Sequence, residues 1–137
     1  MKTQTHSIKQ KAIIPATPEE VYEAFTNAKI YSEFTGDKFT GVAKVGEKFT
    51  VYDISGKFLE LEKGERIVEE WVNSSWPKGF APSKVELTFN KMPKGTEVIL
   101  IQSNIPMEVE EDYLLEGWTE YFWNRLIKYF NTKLKKK

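Results

Sequence analysis

Apolar residues recur every three or four positions near the end of the chain: Leu114, Leu115, Trp118, Tyr121, Phe122, Leu126, Tyr129, Phe130 and Leu134. That is a helical period. Acid gathers in front of it (Glu108, Glu110, Glu111, Asp112) and lysine behind it (Lys128, Lys133, Lys135, Lys136, Lys137). A helix macrodipole favours that polarity. The pattern predicts one amphipathic helix over about residues 107–134. Its apolar stripe carries Trp118, Phe122, Tyr129 and Phe130, each able to bury ~150–250 Å², so the helix is expected in the core. A membrane-surface helix would be basic along its polar face. Here that face begins with Glu111, Glu116 and Glu120.

The rest of the chain reads as strands after two short helices. Residues 5–14 alternate, with Ile8, Gln10, Ala12 and Ile14 on one side, and Pro15 ends the strand. Thr17-Pro18-Glu19-Glu20 is a helix start: Thr17 caps, Pro18 takes the first helical position and Glu20 completes a capping box. A shorter helix is expected near 29–34. Six strand-like runs follow, at 38–43, 48–53, 57–63, 66–72, 84–90 and 96–103. Turn signals separate them, Val45-Gly46, Ser55-Gly56, Lys63-Gly64 and Met92-Pro93-Lys94-Gly95 among them. Short turns imply antiparallel neighbours. The expected architecture is α+β: about seven antiparallel strands curved around a long C-terminal helix, with two short helices after strand 1. Such a sheet can leave a pocket between itself and the helix.

Length and charge narrow the function classes. The 137 residues are read as a single domain, 1–137, with a flexible lysine tail at 135–137. Twenty basic residues balance twenty acidic ones, without the basic excess of a nucleic-acid binder. No apolar run is long enough for a membrane span. The polar start is unlike a signal peptide, so a cytoplasmic location is expected, and with no long exposed apolar edge evident a monomer is expected. With no cysteine there are no disulfides, thiolate metal sites or thiol nucleophiles.

Candidate chemistry is sparse. His6 is the sole histidine and is read as an exposed bystander. No metal-ligand spacing, cofactor motif, nucleophile elbow or paired-carboxylate motif is present; no catalytic residue is assigned. Adjacent Glu69 and Glu70 must point to opposite faces of a strand. One facing inward would have a raised pKa and could serve as an acid or base. The favoured reading is a rim residue, or an ion pair with Arg66 or Lys84. What remains is apolar: Tyr52, Trp71, Phe89, Trp118 and Phe122 are the candidate lining of a cavity between sheet and helix. A core filled solid by the same rings is the competing reading. The loop at 73–82 carries Trp76-Pro77-Lys78-Gly79-Phe80, aromatics with an exposed look.

Several of these stretches carry a family resemblance. They are Ser55-Gly56-Lys57-Phe58-Leu59-Glu60-Leu61, Ile67-Val68-Glu69-Glu70-Trp71, Ser75-Trp76-Pro77-Lys78-Gly79, Leu87-Thr88-Phe89, Asn104-Ile105-Pro106 and Gly117-Trp118-Thr119-Glu120-Tyr121-Phe122-Trp123. Together they resemble the C-terminal domain of the Aha-type activators of the heat shock protein 90 ATPase, from about Lys9 to Phe130. That family shares the helix-grip fold of the birch-pollen allergen and START lipid-transfer domains. The resemblance implies a non-enzymatic co-chaperone-like domain that contacts a heat shock protein 90-type chaperone. The expected partner surface is Trp76, Lys78, Phe80, Glu108, Glu111 and Asp112. In the eukaryotic family a preceding domain carries the main basic activating motif, and no counterpart stands in these residues. The alternative function is binding or sensing of a hydrophobic small molecule in the cavity. An enzyme on this fold is the least favoured reading.

Overall fold

The computed structural model describes residues 4–78 and 81–135. The elements run β1 (Thr5–Ile14), α1 (Pro18–Thr26), α2 (Ala28–Thr35), β2 (Phe39–Gly41), β3 (Lys48–Val51), β4 (Ile54–Glu62), β5 (Arg66–Asn73), β6 (Ser83–Met92) and β7 (Gly95–Pro106). The C-terminal helix follows as α3 (Glu111–Gly117), a π-helical turn (Trp118–Trp123) and α4 (Asn124–Lys135). The strands form one antiparallel sheet in the order β1-β7-β6-β5-β4-β3-β2. Register shifts at His6/Ile8 and Phe58/Glu60 are where an extra residue bends a strand. The curved sheet holds the C-terminal helix against its inner face, as expected from the order of the elements.

The first helix begins as its residues dictate. Thr17 accepts from the Glu20 amide, and the Glu20 carboxylate accepts from the Thr17 amide at 2.9 Å. Asn27 caps α2 by accepting from the Ile30 amide, and Gly36, at φ 81°, closes it. Both helices turn aromatics inward. Phe25 meets Phe34 and Phe122 at ring distances of 6.1 and 6.0 Å, and Tyr31 meets Phe39 at 4.5 Å.

Two expectations are corrected. Ser55-Gly56 is not a turn but the start of β4; the β3–β4 turn is Tyr52-Asp53. Gly56 lies inside the sheet because a Cβ there would stand 2.0 Å from the Glu70 carbonyl oxygen and 2.6 Å from the Phe49 ring. Without a side chain, β5 and the Phe49 ring close in on it. The helix begins at Glu111 rather than near 107, leaving Glu108 and Glu110 ahead of it. Its middle is also wider than an α-helix. The Asn124 amide bonds back to the Thr119 carbonyl, five residues away. The extra residue per turn brings Trp118, Phe122 and Trp123 to one face, all buried, with Trp118 and Trp123 stacked at 5.5 Å. The tail expected to be flexible falls mostly on residues 136–137, outside the described residues.

Candidate functional site

At one end of the sheet, where β3 turns into β4 and β5 ends at Asn73, the helix does not close down on the strands. A pocket of about 360 Å³ opens there. Its floor is Trp71, Trp118, Phe122, Ile54 and Leu114, all buried. Trp71 stacks on Trp118 at 5.8 Å and meets Trp76 at 5.7 Å. Its mouth carries Tyr52 and Tyr113, with Asp53, Glu116 and Glu120 beside them.

The floor is held by hydrogen bonds that apolar packing alone would not give. Trp118 Nε1 donates to Gln102 Oε1 at 2.9 Å, Gln102 Nε2 donates to Ser83 Oγ at 3.1 Å, and Ser83 Oγ donates to the Trp71 carbonyl. A second amide does the same for the next turn. Trp123 Nε1 donates to Gln10 Oε1 at 2.7 Å, while Gln10 Nε2 donates to Thr119 Oγ1 at 3.0 Å. Each indole N–H is buried, and each would be costly to leave unpaired. Alternation places Gln10 with Ile8 and Ile14, and Gln102 with Val98 and Leu100, on inward positions. A polar residue in the inward phase of a strand was the available signal for both.

The predicted lining residues separate. Tyr52, Trp71, Trp118 and Phe122 line this pocket. Phe89 does not: it lies toward the far end of β6 and packs on Tyr22 and Phe25 at 6.2 and 6.4 Å. The predicted partner residues meet only in part. Trp76 and Glu108 line one groove of about 460 Å³ with Pro77 and Tyr113. Lys78 shares a smaller cleft of about 150 Å³ with Trp76 and Pro77. Glu111 and Asp112 stand exposed on the first helical turn. Phe80 lies outside the described residues.

Two polar residues also require revision. His6 is part-buried, with Nε2 2.7 Å from the Val109 carbonyl, so it fastens the segment before the helix to β1. Glu69 shares the inward face of β5 with Ile67 and Trp71 and is only 9% exposed. It is not a rim residue, nor is it paired with Arg66 or Lys84. Arg66 bonds Glu60 and Glu86 instead, the latter at 3.0 Å. Burial pushes the Glu69 carboxyl up to about 8. Burial likewise raises the phenol of Tyr31, and the neighbouring Glu69 charge adds to it. Tyr121, whose hydroxyl donates to Asp37 at 2.6 Å, ties the pocket's helical wall to the loop after α2.

Among the described residues no three acidic or histidine side chains converge to hold a metal ion, and no helix is long and apolar enough to cross a membrane.

A family model described as activator of Hsp90 ATPase homolog 1-like protein matches residues 15–131. The human activator of 90 kDa heat shock protein ATPase homolog 1 is 32% identical over 95% of this chain, and its Dictyostelium discoideum counterpart is 31% identical over 91%. This chain spans 38% and 33% of those proteins' lengths. Among solved structures, an Hsp90 activator from Plasmodium falciparum superposes with a TM-score of 0.79 at 27% identity, covering 92% of this chain and 96% of that one. Ara h 8.0201 superposes at 0.75 with 7% identity, over 94% of this chain and 99% of its own. That last likeness is one of fold alone.

Proposed function

The chain belongs to the activator of Hsp90 ATPase homolog 1-like family, and from that premise we propose that it is a non-enzymatic, co-chaperone-like domain that engages an Hsp90-type chaperone in the cytoplasm. The family match over residues 15–131 carries this reading. The groove shared by Trp76, Pro77, Glu108 and Tyr113 is the surface through which it would act. A large indole beside carboxylates suits a partner patch that is apolar at its centre and basic at its rim. Lys78, Glu111 and Asp112 flank that groove in sequence and would contribute at its edge, where charge steers encounter more than it adds affinity.

The test is a binding and ATPase assay with the Hsp90-type chaperone of the same organism. The expected result is a changed ATPase rate that Trp76→Ala and Glu108→Lys each weaken. Absence of binding at ~100 μM, where an interaction is worth only about 5.5 kcal/mol, together with an unchanged rate, overturns the reading.

A further inference from the structure

The pocket over Trp118 has a charge that its shape does not require. Tyr52 and Tyr113 are 81% and 72% exposed, the two most exposed large apolar side chains among the described residues, and both stand at its mouth. Aromatic rings left in water are ordinary when scattered, but two facing one opening mark a binding site. Around them the lining carries three carboxylates, Asp53, Glu116 and Glu120, and no lysine, arginine or histidine. The Tyr121 hydroxyl and the Trp118 N–H are already committed to Asp37 and Gln102. The Arg125 guanidinium lies over the Tyr121 ring at 4.7 Å, and Trp71 and Trp123 stack on Trp118, so the ring faces open to a ligand are those of Tyr52 and Tyr113 at the mouth. Electron-rich ring faces and carboxylates both attract positive charge.

We infer that this pocket binds an organic cation with an apolar body, an aryl- or alkylammonium. The apolar body lies against Trp71, Trp118 and Phe122 at the floor. The ammonium stays at the mouth, between the Tyr52 and Tyr113 rings and within the field of Glu116 and Glu120. At about 360 Å³ the pocket is at the small end of sites for drug-sized molecules, ~300–1,000 Å³. This sharpens the expectation of a hydrophobic ligand: the floor is apolar, but the mouth selects for charge. The two-residue β3–β4 turn requires a positive φ, and Tyr52 takes it at 53°, a conformation that glycine and asparagine adopt more readily. An exposed aromatic is held there at the pocket rim. The pocket shares Trp76 and Tyr113 with the groove assigned to the chaperone, but Glu116 and Glu120 do not line that groove, so substituting them tests the pocket apart from the chaperone reading.

The experiment is calorimetric titration of the full chain with three matched probes. They are phenylbutyl trimethylammonium, its neutral isostere with carbon in place of nitrogen, and a phenylalkyl carboxylate of the same length. The cation is expected to bind at least about fivefold more tightly than the neutral isostere, and the carboxylate most weakly. That preference should shrink as salt rises. The double substitution Glu116→Gln and Glu120→Gln, at exposed positions that leave the fold intact, should shrink the preference while the neutral isostere binds as before. Binding of the neutral isostere as tight as the cation's overturns the inference, as does a carboxylate that binds best. So does a cation preference left undiminished by the double substitution, or no binding of the cation by about 10 mM.

Discussion

The indole N–H of Trp118 donates to Gln102 Oε1 at 2.9 Å, and Gln102 is 0% exposed. One buried amide thereby links the helix to β7 and, through Ser83, to the backbone of β5. Gln102→Leu removes the acceptor and strands the indole N–H. The expected loss is ~1–3 kcal/mol in chemical denaturation, the cost of a buried unpaired donor. Trp118→Phe made on top of Gln102→Leu should cost less than Trp118→Phe alone. Purely additive losses would contradict a direct coupling between the two side chains.

Glu69 makes stability depend on pH. Its folded pKa, raised to about 8 by burial, exceeds the ordinary carboxylate value that applies in the unfolded chain. Between roughly pH 4.5 and 8 the folded state holds a proton that the unfolded state has released, so stability falls as pH rises through that window. The fall approaches ~1 kcal/mol per pH unit while the difference lasts. Glu69→Gln, which stays neutral throughout, should flatten that part of the profile and melt higher than the parent protein at pH 8. Thermal melts from pH 5 to about 9 check it; parallel profiles for the two proteins refute it.

Gly56→Ala is expected to destabilise by ~1–3 kcal/mol, the range for overpacking. The new methyl would meet the Glu70 carbonyl at 2.0 Å and the Phe49 ring at 2.6 Å. Pairing it with Phe49→Leu relieves the ring but not the carbonyl, so the double variant should stay below Phe49→Leu alone. Urea titration of the four proteins separates the two clashes.

Tyr52→Gly separates backbone strain from binding. Glycine reaches φ 53° without the ~1–2 kcal/mol that a left-handed conformation costs other residues. It also loosens the unfolded chain by a comparable amount. With the ring so exposed, little burial is lost. Stability should therefore hold or rise by up to ~1 kcal/mol, while affinity for phenylbutyl trimethylammonium drops. A large loss of stability would mean the ring supports the fold rather than the pocket.

Much of this was legible along the chain because local chemistry settles it. The capping box at Thr17 and Glu20, the alternation of β1 and the apolar stripe from Leu114 to Phe130 each depend on neighbours a few residues apart. Ser55-Gly56 misled because glycine serves both turns and tightly packed strands. Only the Phe49 ring and the Glu70 carbonyl, from β3 and β5, distinguish the two. The period of Phe89 puts it on the cavity-facing side, but period says which face a residue occupies and not which end of the sheet. The strand registers put it at the end opposite Ser83 and Trp71.

The sequence by itself determined the order of the elements, the inward phase of β1 and the family. All of these follow from residue type at short spacing. Tertiary structure decided the rest. It widened the helix into a π turn so that Trp118 and Trp123 could both pack, and it buried Glu69 away from Arg66. It also brought Tyr52, Tyr113, Glu116 and Glu120 to one opening. Tyr52 and Tyr113 are sixty-one positions apart in the chain. Their meeting depends on the curvature of the sheet and the path of the helix across it, sums over many weak contacts that no local pattern encodes.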